Sequence, residues 1–316
     1  MHITILDGNA LNPGDLSWDA LKQLGTLTVY PRTEPKEVIE RIGSSEAILL
    51  NKVNITEEIL SACPNLKYIG VQATGYNVID IEACKKHGVT VTNVPAYSTA
   101  AVAQLTFAFM SEAACRTKLH SDSVLAGDWT KSPDFCYWKM PLTELEGKTL
   151  GIFGYGNIGR RVARIAEAYG MKVIVCTRTQ KPDIPNPVDF DTLLSQSDIL
   201  TLHAPLTPQT DGIINKASLA KMKKSAWIIN TARGAFVNEQ DLCDALTQGT
   251  IAFYAADVVS QEPMQKDNPL LKAPKDKILI TPHIAWAAVE TRKRLLDVVI
   301  QNITAWSQGK SQNVVS

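Results

Sequence analysis

The chain has 316 residues, 45% of them apolar and 20% charged, with 32 basic residues matched by 32 acidic ones. This composition excludes a wholly disordered chain, and the length exceeds what one hydrophobic core usually supports, so two domains are expected. A formal net charge of zero leaves no field to steer the chain onto nucleic acid or an anionic membrane, so neither partner is expected. No apolar run approaches the roughly 18 residues of a membrane span, and the start MHITILDGN lacks the basic and apolar regions of a signal peptide.

In chain order, short apolar runs alternate with helical spacing. Strands are predicted at 2–6, 27–30, 47–50, 68–72 and 89–93, with helices at 18–24, 35–42, 57–62 and 79–87. A long helix is predicted over 99–116, followed by an irregular aromatic segment over 120–146. A second alternation has strands at 149–153, 172–177, 199–203, 226–230, 251–257 and 278–281, and the last helix runs over about 287–308. The fold class is therefore α/β, with two doubly wound parallel sheets. Periodicity leaves open whether the last helix returns to the first unit.

Six cysteines stand at 63, 84, 115, 136, 176 and 243, with no Cys-x-x-Cys pair and no histidine at ligand spacing. They read as reduced thiols of a cytoplasmic protein, and no metal site is expected.

The sharpest motif is Gly154-Tyr155-Gly156-Asn157-Ile158-Gly159, after an apolar run and before an amphipathic one. In that position Gly154 allows a tight turn, Gly156 a close approach to a pyrophosphate, and Gly159 close packing of helix on strand. The free N–H groups at the helix start then favour the diphosphate. Where an NAD site commonly has Asp or Glu at the end of the next strand, this chain has Thr177 and Arg178. An arginine pairs with a 2′-phosphate that a carboxylate would repel, so the pattern reads as NADP(H), with NAD as the alternative if Arg178 is a solvated loop residue. Arg160 and Arg161 read as a solvated helix face, as do Arg116 and Lys118.

Of the five histidines, His2 and His120 read as surface positions and His87 as a helix end. His203 ends a strand and either lines a cofactor pocket or packs in the core. His283 draws meaning from other strand ends. Arg233 ends one strand, the stretch Asp257 to Pro263 with Glu262 ends the next, and His283 ends the last. Carboxyl ends of parallel strands converge on one crevice. An arginine there grips a carboxylate or carbonyl, a histidine exchanges a proton, and a glutamate orients the histidine and favours its protonated form. That set suits reduction of a 2-keto acid.

Ala73-Thr74-Gly75-Tyr76-Asn77-Val78-Ile79-Asp80, Asn93-Val94-Pro95, the glycine motif and His203-Ala204-Pro205-Leu206-Thr207 occur in this order, followed by Thr231-Ala232-Arg233-Gly234, Asp257 to Pro263 and Pro282-His283-Ile284-Ala285. Over nearly its whole length the chain resembles the D-2-hydroxyacid dehydrogenases, and most resembles their glycerate dehydrogenase (hydroxypyruvate reductase) branch. The resemblance implies a flavodoxin-like substrate domain, discontinuous over 1–98 and 288–316, and a Rossmann dinucleotide-binding domain over 99–287. It implies substrate binding by Arg233, acid/base work by His283 with Glu262 as its partner, and a substrate carboxylate on the Thr74–Gly75 backbone. It places Asn157 and Ile158 on the diphosphate and Asp257 near the nicotinamide amide. His203, Ala204, Pro205, Thr231 and Ala232 join the cofactor-binding set, with Arg233 and His283 beside them. The implied reaction transfers a hydride between NAD(P)H and hydroxypyruvate or glyoxylate. Thr177 departs from the Asp that many members carry. Trp129 and Trp138 read as anchors of a homodimer. The alternative is a nucleotide-sensing corepressor of the same fold, disfavoured by the short tail after the last helix and the lack of a basic patch.

Overall fold

The computed structural model describes residues 1–179 and 182–316. The chain divides into two compact units, Met1–Ser98 with Trp286–Ser316, and Thr99–Ala285. Among the described residues no helix is long and apolar enough to cross a membrane.

The first unit holds five parallel strands: β1 (His2–Ile5), β2 (Thr26–Val29), β3 (Ala47–Leu50), β4 (Tyr68–Val71) and β5 (Thr90–Thr92). Their order is β2-β1-β3-β4-β5, the flavodoxin-like arrangement. The β3 and β4 runs are buried throughout, as strands covered on both faces must be. One cover is the last helix, Val289–Ser307. Its Leu295, Leu296, Val299 and Ile303 fall on one face and are buried with Ile3, Leu49 and Tyr68. Trp306 lies against the Tyr68 ring with centroids 4.8 Å apart. Arg292 grips Asp15 with both Nη atoms, at 2.7 and 2.6 Å, and also donates to the Leu11 carbonyl.

The second unit holds β6 (Thr149–Phe153), β7 (Lys172–Cys176), β8 (Ile199–Leu202), β9 (Trp227–Asn230), β10 (Phe253–Ala256) and β11 (Ile278–Ile280). All pair in parallel, in the order β11-β10-β9-β8-β6-β7. A bridge from Val175 to Pro187 continues the β7 edge. The chain reverses direction across the sheet between β6 and β8, which is where open α/β sheets form their ligand crevice. A helix, Thr117–Leu125, runs into the segment predicted as irregular, which also holds a 3-10 turn, Trp129–Lys131. Arg116, left-handed at φ 49°, separates the first of these from the helix Thr99–Cys115.

Candidate active site

The glycine motif forms the turn from β6 into the helix Asn157–Ala168. Its three glycines answer different demands. Gly154 has φ +97°, and a Cβ there would lie 2.4 Å from the Ala204 backbone nitrogen. A Cβ on Gly159 would lie 2.3 Å from the Gly154 carbonyl oxygen. Both glycines are therefore required by the chain's own packing. Gly156 is different: a Cβ there meets nothing within 4 Å. The space in front of it, at a helix N-terminus, is what a dinucleotide's diphosphate requires. Asn157 and Ile158 open that helix and Tyr155 precedes it. Arg160, read as solvated, instead lies 4.7 Å over the Tyr155 ring and pairs with Asp183 at 2.8 Å. Arg116 likewise stacks over Phe253.

Beside the turn, a cavity of about 450 Å³ is lined by Phe153, Cys176, Thr177, Arg178, Thr207, Gln209 and Thr210. Its size and position suit the adenosine half of a dinucleotide. The Thr177 hydroxyl donates to the Thr179 carbonyl at 2.9 Å. Burial pushes the Cys176 thiol up, so the thiol stays protonated. His203 follows β8 on the other side of the switch point, with Ala204 and Pro205 after it. Its Nε2 is hydrogen-bonded to the Thr201 hydroxyl at 2.8 Å, and burial pushes the ring down to about 3, so it is neutral. Its Nδ1 is buried without a partner among the described residues. The free nitrogen and the open Gly156 both fit a bound dinucleotide. The other histidines carry structural bonds. His2 and His120 are half-buried rather than on the surface, bonded to Thr28 and to the Arg116 carbonyl, and His87 caps its helix beside Glu57.

The three strand ends read together in the sequence lie on neighbouring strands, because β9, β10 and β11 are adjacent. His283 Nδ1 donates to Glu262 Oε2 at 2.7 Å. Because a carboxylate only accepts, this bond places the proton on Nδ1 and leaves Nε2, across the ring, for chemistry. Both side chains keep about a third of their surface exposed, 31% for His283 and 34% for Glu262. Arg233 follows β9 and its guanidinium Nη1 donates to the Ala232 carbonyl at 2.7 Å. The structure thus bonds two of the three residues and sets the third on the adjacent strand end. Gly234 fixes that neighbourhood, since a Cβ there would lie 1.8 Å from the Val259 carbonyl carbon. Thr231, next to Arg233, is hydrogen-bonded to Thr106 at 3.1 Å.

Asp257 does something the sequence reading did not anticipate. Only 1% exposed, it accepts from the Thr281 hydroxyl at 2.5 Å and from the Ile284 and Ala285 N–H groups at 2.8 and 2.7 Å. These three donors bracket His283, which is held at φ +55°. A left-handed non-glycine residue costs about 1–2 kcal/mol. The buried carboxylate therefore clamps the strained loop that presents the imidazole. No local motif reveals this, because donors and acceptor are 24 to 28 residues apart. In the first unit, Thr74 donates to the Val94 carbonyl at 2.7 Å, and Asn93 Nδ2 donates to the Thr74 carbonyl at 2.7 Å. The Thr74–Gly75 loop is thereby pinned to the end of β5.

Residues 107–285 match the family model described as "D-isomer specific 2-hydroxyacid dehydrogenase, NAD binding domain". A hydroxypyruvate reductase of Blautia hydrogenotrophica is 46% identical over the full length of both chains. This chain belongs to the D-isomer-specific 2-hydroxyacid dehydrogenases. It is an NAD(P)-dependent oxidoreductase of that family. Another relative of this dehydrogenase, a glycerate dehydrogenase of Methylorubrum extorquens, is 42% identical over 89% of this chain and 88% of its own. Among solved structures, an acyclic imino acid reductase in complex with NADPH and D-Arg superposes with a TM-score of 0.86 at 30% identity, covering both chains fully. A D-lactate dehydrogenase with NAD+ from Lactobacillus jensenii superposes at 0.81 and 27% identity, again over both full lengths.

Proposed function

We propose that this dehydrogenase reduces hydroxypyruvate or glyoxylate to the D-hydroxy acid, with His283 as the proton donor. The observation that carries this reading is the 2.7 Å bond between His283 Nδ1 and Glu262. Reduction of a 2-keto acid needs a hydride at the carbonyl carbon and a proton at the carbonyl oxygen. The nicotinamide, when bound, supplies the hydride. The chain supplies the proton from Nε2 of His283, whose ring the Glu262 carboxylate orients through Nδ1. Arg233 grips the carboxylate or carbonyl of the substrate through its guanidinium. In the first unit, the substrate domain, backbone N–H groups at Thr74–Gly75 receive a carboxylate. The second unit is the dinucleotide domain, with Gly154 to Gly159 on the diphosphate and Thr177–Arg178 at the adenine ribose. The Thr177–Arg178 pair favours NADP(H).

The site's relatives support the substrate class, since they bear the names hydroxypyruvate reductase, glycerate dehydrogenase and, in Thermococcus litoralis, glyoxylate reductase. The six free cysteines suit a reducing compartment, the cytoplasm. Exposed aromatic residues over 129–138 support a homodimer. The test is His283→Ala in single-turnover reduction of hydroxypyruvate and glyoxylate with NADH and NADPH. Hydride transfer is expected to fall by about 100-fold or more. Near-native turnover would remove His283 from the reaction.

A further inference from the structure

The loop that carries Glu262 is tethered by a residue outside the trio. Glu239 is half-buried at the first position of the helix Glu239–Gln248. Its Oε1 accepts from the Ser260 N–H at 2.7 Å, and its Oε2 accepts from the Ser260 hydroxyl at 2.7 Å and from Asn268 Nδ2 at 2.8 Å. Asn268 is itself buried. One carboxylate thus holds both ends of the segment 260–268, in which Glu262 stands. Just before that segment the Val259 N–H reaches Glu262 Oε1 at 3.4 Å, and Glu262 Oε2 receives His283. On the other side, the Gly234 backbone abuts Val259 and Ser260 too closely for any side chain.

A first-turn glutamate is ordinarily a complement to the helix dipole and needs no partner. Here the carboxylate takes three donors from one loop, two of them from the residue two places before Glu262. Without it, Ser260 would lose two hydrogen bonds and Asn268 one, on either side of Glu262.

We infer that Glu239 is a positioning residue of the Glu262–His283 pair, acting through Ser260 and Asn268; this rests on the proposed proton-donor role of His283. Glu239 touches neither partner of the pair. It sets where the Glu262 carboxylate stands relative to the imidazole. Tyr254 on β10 senses the Glu239 charge, and burial holds it as the neutral phenol. Tyr254 therefore does not blur the readout.

The experiment measures kcat for keto-acid reduction against pH in the full enzyme and in Glu239→Ala, Glu262→Gln and the double variant. The protonated imidazole is the active form for reduction, so kcat falls as pH rises through its titration. Removing the neighbouring carboxylate in Glu262→Gln moves that fall to lower pH. Glu239→Ala is expected to move it in the same direction by a smaller amount and to lower kcat about tenfold, with the KM for cofactor changed less than twofold. In the Glu262→Gln background, Glu239→Ala is expected to add less than a twofold effect, because its route is already cut. Glu239→Gln, which keeps an acceptor for the Ser260 N–H, recovers part of the loss.

A Glu239→Ala profile that stays at the wild-type position while Glu262→Gln moves overturns the inference and leaves the proton-donor reading standing. Fully multiplicative effects in the double variant also overturn it. A Glu262→Gln profile that does not move overturns both. If Glu239→Ala does not fold, Ser260→Ala decides: it removes one arm of the tether, and the same directional shift supports the inference while an unmoved profile sinks it.

Discussion

At the end of β7 the Thr177 hydroxyl is turned onto the Thr179 carbonyl, beside Arg178 and the cavity that Cys176 and Phe153 line. Neither Thr177 nor Arg178, the positions that follow β7, is a carboxylate, and on the proposed reading the guanidinium offers a 2′-phosphate charge-assisted bonds. Thr177→Asp should therefore move the ratio of kcat/KM for NADH over NADPH upward by about tenfold, or 1.4 kcal/mol. Equal ratios in the two proteins would detach Thr177 and its neighbour from cofactor choice. The placement of Thr177 and Arg178 just after a strand was legible, because the apolar pattern marks the end of β7. Glu262 and His283 were legible for the same reason. Arg160 was not: its stacking on Tyr155 depends on the path of the chain around a helix start, and a charged residue on an amphipathic helix looks solvated in one dimension. Glu239 was hidden more completely, since its partners Ser260 and Asn268 lie 21 and 29 residues away and an acid in a first turn already has an ordinary explanation.

Among elements, the strands were read most closely, because buried parallel strands are short continuous apolar runs with little to confuse them. The helix Thr117–Leu125 was missed for a physical reason. Its sequence, TKLHSDSVL, has no apolar stripe and buries only Ser123, so nothing in its spacing announces a helix. The glycine turn separates two demands that one motif hides. Gly154 serves the fold, through its φ of +97° and its contact with the Ala204 backbone, whereas Gly156 faces open space. Gly154→Ala should cost more than about 2 kcal/mol of stability, read from the urea midpoint. Gly156→Ala should keep stability within about 1 kcal/mol of wild type, as expected at an N-cap position. Its cost should appear in the Kd for NAD(P)H, raised about tenfold by a methyl group where the diphosphate must approach. Unchanged cofactor affinity in a well-folded Gly156→Ala protein would refute the diphosphate assignment.

For the whole molecule, periodicity showed a long final helix but not its destination. The destination is set by side-chain packing, Leu295 to Ile303 on Ile3, Leu49 and Tyr68, and by the Arg292–Asp15 bond that joins the two ends of the chain in one unit. What the second unit leaves uncovered is as informative. Leu125 is 83% exposed, Phe135 89% and Trp138 67%, with Trp129, Leu142 and Tyr169 also open. Trp129 is held in place by its Nε1–H bond to the Phe135 carbonyl at 3.0 Å, so the aromatic segment is built rather than slack. Exposed apolar side chains of this size give the proposed homodimer surface to bury. With zero formal net charge there is little long-range repulsion to keep two copies apart. The chain should therefore elute from gel filtration at twice the monomer mass at micromolar concentration. A double variant, Phe135→Asp with Trp138→Asp, should elute as a monomer, because two carboxylates would otherwise be buried unpaired at several kcal/mol each. Its unfolding midpoint should hold within about 0.5 kcal/mol, as for surface positions. Wild-type protein running at monomer size would show that this face is not where two copies meet.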